Sequence, residues 1–402
     1  MANVSSSNGL ETRPKLRFPG FDEPYKQCHI GDIYAERSQR GASDMVLLSV
    51  TMNDGVIPRS EIEGKDNSSA DKSNYKVVLM GDMVYNSMRM WQGANGISPY
   101  DGIVSPAYTV LMPKIPISNG YFAALFKSPN LINEFRKNSQ GMTSDTWNLK
   151  YPQIETIKVH IPPLSEQNRV ADMLGTLERR IAKQAQLVEN LKKYKRGVMQ
   201  RIFRQLPSQN GAEWTCVRLG DIFKKVSRRN TDGVIKNVIT NSAEYGLIPQ
   251  RDFFDKVIAV DGNTANYYVI ENGDFVYNPR KSNSAPYGPF NRYTLSEQGI
   301  ISPLYTCLVL QADISPSYLA WYFKSDAWYR YIYDNGSQGV RHDRVSMTDD
   351  LLMGIPVMYP SHVKQLLYAD ILDMVEARLQ ATQKTLELLS KTRDGYMRQL
   401  FI

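Results

Sequence analysis

The sequence predicts a mixed α+β fold laid down twice. A globular α/β domain is followed by a long helix, then a second, similar domain is followed by a second long helix. The two helices are expected to pair as an antiparallel coiled coil, giving the chain a pseudo-two-fold internal repeat. Three observations predict this. Strings of residues recur in order, an apolar seam is reproduced at a constant shift, and each half mixes strand-like with amphipathic helical runs.

Length sets the frame. A chain of 402 residues is too long for one ordinary hydrophobic core, so two or more domains are expected. Hydrophobic content of 42% and charged content of 22% are those of a folded globular protein. The net charge of +7 suits a polyanionic partner without requiring one. Cys28, Cys216 and Cys307 stand far apart and outside any CxxC spacing, which fits a reducing compartment without structural disulfides. No apolar run approaches the roughly 20 residues needed to span a bilayer. The opening MANVSSSNGLETRPKLRFPG lacks the apolar centre of a signal peptide and reads as a flexible polar lead. The expected location is the cytoplasm, with no membrane contact.

The repeat comes next, because missing one miscasts the whole fold. Gly31-Asp32-Ile33 recurs as Gly220-Asp221-Ile222, and Gly55-Val56-Ile57-Pro58 as Gly246-Leu247-Ile248-Pro249. The string Gly81-Asp82-Met83-Val84-Tyr85-Asn86 returns as Gly273-Asp274-Phe275-Val276-Tyr277-Asn278. Gly102-Ile103-Val104-Ser105-Pro106 is echoed by Gly299-Ile300-Ile301-Ser302-Pro303, and Ser139-Gln140-Gly141 by Ser337-Gln338-Gly339. From Gly31 and Gly220 to Ser139 and Ser337 the separation of the copies widens from 189 to 198 residues, as unequal loops would cause.

After Pro162 the pattern changes. Val170, Leu174, Leu177, Ile181, Val188, Leu191, Val198 and Ile202 follow a heptad spacing, the mark of a helix with a narrow apolar seam. A shift of 198 residues converts them into Tyr368, Leu372, Val375, Leu379, Leu386, Leu389, Tyr396 and Leu400. Pro162-Pro163 and Pro360 mark where each helix starts, with Ser165 and Ser361 as candidate caps. Two paired helices of about 40 residues would form a rod of about 60 Å, with one domain expected at each end.

Within the halves, 77–86, 108–112, 275–278 and 305–310 read as strands, and 119–128 and 317–333 as amphipathic helices. The boundaries that follow are a flexible lead over 1–20, a first domain over 21–160, a long helix over 161–205, a second domain over 206–358 and a second long helix over 359–402. Residues 205–214 have the composition of a linker.

Catalytic signatures are missing. The sequence holds no GxxxxGK[ST] and no GxGxxG after a strand. Glu61, Glu63 and Lys65 have the spacing of a nuclease ExK, but no further acidic residue is placed beside them and they read as a surface loop. His29, His160, His342 and His362 are dispersed, without metal-ligand spacing. An enzyme acting alone is disfavoured.

The residues now assembled resemble a known family. Ile161-Pro162-Pro163-Leu164-Ser165-Glu166-Gln167, with the helix ending Arg196-Gly197-Val198-Met199-Gln200-Arg201-Ile202-Phe203, is similar to the central conserved region of specificity subunits of type I restriction-modification systems. Pro14-Lys15-Leu16-Arg17-Phe18-Pro19-Gly20-Phe21 and the closing Met397-Arg398-Gln399-Leu400-Phe401 resemble further parts of that family. The resemblance spans nearly the whole chain. It departs at Ser361-His362-Val363-Lys364-Gln365, which lacks the Glu of the first copy.

The resemblance implies a non-catalytic DNA-recognition subunit. Its two target recognition domains would each read one half of a bipartite target in double-stranded DNA. The paired helices would set the spacer and dock two methylation (M) subunits, which in turn recruit restriction (R) subunits. No cofactor is expected on this chain, because S-adenosylmethionine, ATP and Mg would be used by the partners. A coiled-coil scaffold without sequence-specific DNA binding is the alternative.

Base reading needs Arg, Lys, Asn and Gln at groove edges, with further basic contacts to phosphates. The polar loops after the repeated Val-Tyr-Asn strand supply Arg89, Gln92 and Asn95 in the first domain. They supply Arg280, Lys281, Asn283 and Arg292 in the second. Arg341 and Arg344, in a basic Gly-flanked loop, form another candidate set, although the counterpart 141–146 is not basic. For each residue the plain alternative is a solvated loop. Lys192, Lys193, Lys195, Arg196, Arg201 and Arg204 read as a solvated helix face.

Overall fold

The recurring Gly-Asp pair marks the same built turn in both copies. Gly81 and Gly273 take φ of +93° and +99°, a backbone open to glycine and strained for other residues. The following aspartates are almost fully buried. Asp82 Oδ2 accepts from the Leu79 amide (2.9 Å) and from Arg37 Nε (2.7 Å). Asp274 Oδ2 accepts from the Glu271 amide (2.9 Å) and from Arg228 Nη2 (2.8 Å). The arginine comes from a different position in each copy, so the aspartate is the repeated half of the pair.

In the computed structural model, residues 13–41, 44–52, 54–64, 68–204, 214–252, 264–336, 344–345 and 347–402 are described. The first copy runs β1 (Lys26–His29), α1 (Ile30–Ile33), β2 (Tyr34–Glu36), β3 (Leu48–Thr51) and β4 (Gly55–Pro58). It continues through β5 (Lys76–Val78), β6 (Met83–Asn86), β7 (Asn95–Ile97), β8 (Gly102–Val104) and β9 (Tyr108–Pro113). Helices α2 (Asn119–Leu125), α3 (Pro129–Asn138) and α4 (Tyr151–Ile154), strand β10 (Lys158–Ile161) and the long α5 (Leu164–Phe203) complete it.

The second copy repeats this order. Its strands are β11 (Thr215–Arg218), β12 (Phe223–Lys225), β13 (Ile239–Ser242), β14 (Gly246–Pro249) and β15 (Tyr268–Ile270), with α6 (Leu219–Ile222) after β11. Then come β16 (Phe275–Tyr277), β17 (Phe290–Arg292), β18 (Gly299–Ile301), β19 (Thr306–Leu310), α7 (Pro316–Lys324) and α8 (Tyr329–Asn335). It ends with α9 (Asp349–Met353), β20 (Pro356–Tyr359) and the long α10 (His362–Gln399).

Pairing is duplicated with the order. A four-stranded antiparallel sheet β2-β9-β6-β7 is matched by β12-β19-β16-β17. The pairs β1-β10, β3-β4 and β5-β8 are matched by β11-β20, β13-β14 and β15-β18. The β1-β10 and β11-β20 pairs tie the start of each domain to the strand that feeds its long helix.

The run 317–333, expected as one helix, is two. Ser325 ends the first, its amide bonding to the Trp321 and Tyr322 carbonyls and its hydroxyl to the Tyr322 carbonyl at 2.6 Å. In the first copy Ser128 caps α3, accepting from the Leu131 amide, and Pro129 makes the break visible in sequence.

Two compact units emerge: Met1–Gln186 with Gln383–Ile402, and Leu187–Thr382. Each unit therefore contains the opening of one long helix and the closing of the other. In the first unit Val170 and Leu174 of α5 share a core with Leu400 and Phe401. In the second, Ile202 and Phe203 share a core with Ala369 and Leu372 of α10. Start meets end in both units, so the helices run antiparallel. No position of the sixteen-residue seam is exposed. A fully buried Leu or Phe contributes about 1.5–3 kcal/mol, so these positions supply much of what holds the helices.

A buried glutamine fixes the entry of each long helix. Gln167 accepts from the Ser118 amide (3.1 Å) and donates to the Pro162 carbonyl (3.0 Å). Gln365 accepts from the Ser315 amide (2.8 Å) and donates to the Pro360 carbonyl (2.8 Å). Ser361 sits directly before α10, whereas Ser165 already lies inside α5 and is not its first residue.

The first unit carries a further lock. Arg17 donates from Nε and Nη2 to the two carboxylate oxygens of buried Glu166, both at 2.8 Å. The Leu16 amide bonds to the Gln399 carbonyl at 3.0 Å. Residues 16–18, assigned to a flexible lead on sequence, are thus held to the unit's core. The second copy has Lys364 in place of the glutamate, and Trp214 stacks on Tyr368 instead.

Gln167→Ala and Gln365→Ala each leave a buried amide and a buried carbonyl without their partner. Each should lower stability by about 2 kcal/mol or more, read as a fall in urea midpoint. Lys193→Ala, on an exposed face, should stay within about 0.5 kcal/mol.

Candidate nucleic-acid interface

The candidate loops arise at the edge of each four-stranded sheet, where β6 turns into β7 and β16 into β17. In the first domain the turn carries a short 3-10 helix, Met90–Gln92, ended by Gly93 at φ +87°. In the second, Gly288 holds the equivalent place at φ +86°. The hairpins close alike, Asn86 N–H to the Ala94 carbonyl (3.0 Å) and Asn278 N–H to the Pro289 carbonyl (2.9 Å).

A second segment lies against each hairpin loop. The Leu149 amide bonds to the Ser87 carbonyl (2.8 Å), and the Val345 amide to the Pro279 carbonyl (2.9 Å). The same junction is therefore built twice, from loops with unrelated sequences. The structure brings together Arg280 and Arg344, which form an antiparallel bridge. Arg280 is exposed and Arg344 half-buried. Both lie near Tyr305, whose hydroxyl is pushed above its usual pKa by burial. The hydrogen bond to Thr240 and the positive charges of Arg280 and Arg344 pull the other way. Lys281 is half-buried and Asn283 exposed on the same loop.

Arg89 and Gln92 are exposed, the first directly before the 3-10 helix and the second at its end. Asn95 is not available in the same way. It is fully buried, and its amide donates to the carbonyls of Gly93 (3.3 Å) and Phe126 (3.2 Å). Its position therefore suits holding the loop and not touching a base edge. Arg292 belongs to strand β17 and not to the loop. It donates to Ser317 Oγ at 3.3 Å, and burial lowers its pKa. Both corrections have one cause: polarity in sequence does not report which way a strand residue points. Arg341 lies outside the described residues.

Sequence reasoning missed the aromatic part of the first junction. Trp91 and Trp147 meet edge to face at 5.2 Å, and the Arg136 guanidinium lies 5.7 Å from the Trp147 ring. The signal was a tryptophan in each of two polar segments of the first domain. Other predicted groups stay apart. Glu61 and Glu63 are exposed, and Lys65 lies outside the described residues. Among the described residues no group of His, Cys, Asp and Glu could hold a metal ion, and no helix is long and apolar enough to cross a membrane. Of the basic helix residues, Lys195 pairs with Glu376 (2.8 Å), Lys192 with Glu189 (2.8 Å) and Arg204 with Asp326 (2.9 Å).

Comparison with known proteins places this geometry. Residues 40–193 match the model of the type I restriction modification DNA specificity domain. A type I restriction enzyme MjaX specificity subunit of Methanocaldococcus jannaschii is 22% identical over 216 residues, covering 46% of this chain. The match spans about half that relative, 49% of its length. The S subunit of a type I restriction-modification system from M. genitalium superposes with a TM-score of 0.58 at 13% identity, over 97% of this chain and 99% of that one. A chain from a structure of type I R-M complex assembly and conformational transition gives 0.54 at 15% identity, over 94% and 97%. At these identities the superpositions show a shared fold.

Gly288 has little room. A Cβ there would collide with the Asn278 carbonyl, on a backbone of positive φ. Gly288→Ala should destabilise the hairpin by about 1–3 kcal/mol and speed its amide exchange. Gly233→Ala, also at positive φ but with open space around it, should have the smaller effect.

Proposed function

We propose, on the premise that this chain carries a type I restriction modification DNA specificity domain over residues 40–193, that it is the DNA-recognition subunit of such a system. The reading is supported above all by one observation: two domains of the same build each present the same loop junction, and each is completed by the paired long helices. A reader duplicated within one chain suits a target of two half-sites on a duplex. Because the loops differ in sequence, the half-sites should differ too.

In this reading the chain selects sequence and performs no chemistry. The first domain reads through Arg89 and Gln92, the second through Arg280, Lys281, Asn283 and Arg344, with Arg341 as a further candidate. The antiparallel helices set the spacer between half-sites and dock two methylation subunits, which recruit the restriction subunits. S-adenosylmethionine, ATP and Mg serve those partners. The assembly works in the cytoplasm, where its DNA is.

Gel-shift titration with the methylation partners present tests this. Duplexes carrying the target should bind at least 10³-fold more tightly than scrambled ones at physiological salt. Arg280→Ala with Arg344→Ala should remove about 10-fold or more of that preference. Binding indifferent to sequence would instead mark the chain as a coiled-coil scaffold.

A further inference from the structure

The two junctions occupy the same place in the fold but offer different chemistry. The first sets exposed apolar side chains among its polar ones. Met88 is 41% exposed and Met142 99% exposed, and they lie on the two segments that Trp91 and Trp147 join. The Trp91 indole N–H is already taken by the Met88 carbonyl at 3.2 Å, so that half-buried ring has only apolar surface left to offer. Exposed Arg89 lies on the same hairpin loop, and the exposed Arg136 guanidinium is 5.7 Å from the Trp147 ring. The second junction has no methionine or tryptophan in its hairpin loop, residues 278–289. It presents Arg280 bridged to Arg344, with Lys281 and Asn283.

These surfaces match different features of the major groove. Thymine alone offers a methyl group there, whereas guanine offers two acceptors to a guanidinium. We propose that the first domain reads thymine 5-methyl groups through Met88, Trp91 and Met142, and that the second reads guanine through Arg280 and Arg344. This rests on the DNA-reading assignment above and names what each reader recognises. The methionines conform to the methyl, and the edge-to-face tryptophan pair joins the two segments that carry them. Removing water from one methyl contact strengthens binding about 4-fold.

Base analogues separate the two readers. The full chain is assembled with its methylation partners and titrated against its target duplex. In one half-site at a time, thymine is replaced by deoxyuridine, which lacks only the methyl, or guanine by 7-deazaguanine, which lacks the N7 acceptor. Arg280→Ala assigns the half-site of the second domain. Deoxyuridine in the other half-site should weaken binding about 4-fold for each contacted methyl. Deazaguanine in the second domain's half-site should weaken it about 10-fold, with the crossed substitutions changing little. Met88→Ser with Met142→Ser, both at exposed positions, should bind thymine and deoxyuridine alike. Sequence-specific binding that ignores deoxyuridine in the first half-site, or responds equally in both, overturns the proposal alone. Loss of all sequence dependence on unmodified DNA overturns it together with the DNA-reading assignment.

Discussion

Neither compact unit closes its core with its own copy of the repeat. The first needs Leu400 and Phe401, just past the end of α10, where Phe401 meets Tyr121 at 5.4 Å between ring centroids. The second needs Ile202 and Phe203 from the end of α5, where Phe203 meets Tyr318 at 5.7 Å. The antiparallel seam is therefore part of both cores, not a connector laid between finished domains. Gln167 and Gln365 add the orientation that apolar packing lacks, because each satisfies one amide and one carbonyl at a fixed geometry.

The paired helices were legible because a seam has a period. All sixteen positions picked out by the heptad spacing avoid exposure. The Gly-Asp strings were legible because a turn at positive φ needs glycine, and its buried aspartate needs a partner. What escaped was decided by tertiary contact. Asn95 and Arg292 look like loop polar residues until the fold turns one inward and places the other in a strand. Residues 16–18 look like tail until Arg17 finds Glu166, 149 positions away. The break at Ser325 carries no proline, so the run around it reads as continuous helix.

The junctions support the proposed use of the duplication. Backbone bonds at Ser87 and Pro279, and the paired glycines Gly93 and Gly288, preserve the shape of each junction. Side chains at its surface need not match, and there Met88 and Trp91 of one hairpin loop give way to Arg280 and Lys281 of the other. A scaffold that merely held partners apart would have no reason to keep the loop geometry while varying its chemistry. Sequence readers do, since the groove is constant and the base edges are not.

The central claim is that one chain reads two unlike half-sites at a fixed separation. Mapping methylated positions genome-wide in a host carrying the complete system, with and without this chain, tests it most directly. The account predicts one bipartite motif, two dissimilar half-sites around a constant spacer, lost when the chain is removed. A continuous motif, a variable spacer or a pattern unchanged by removal would contradict it.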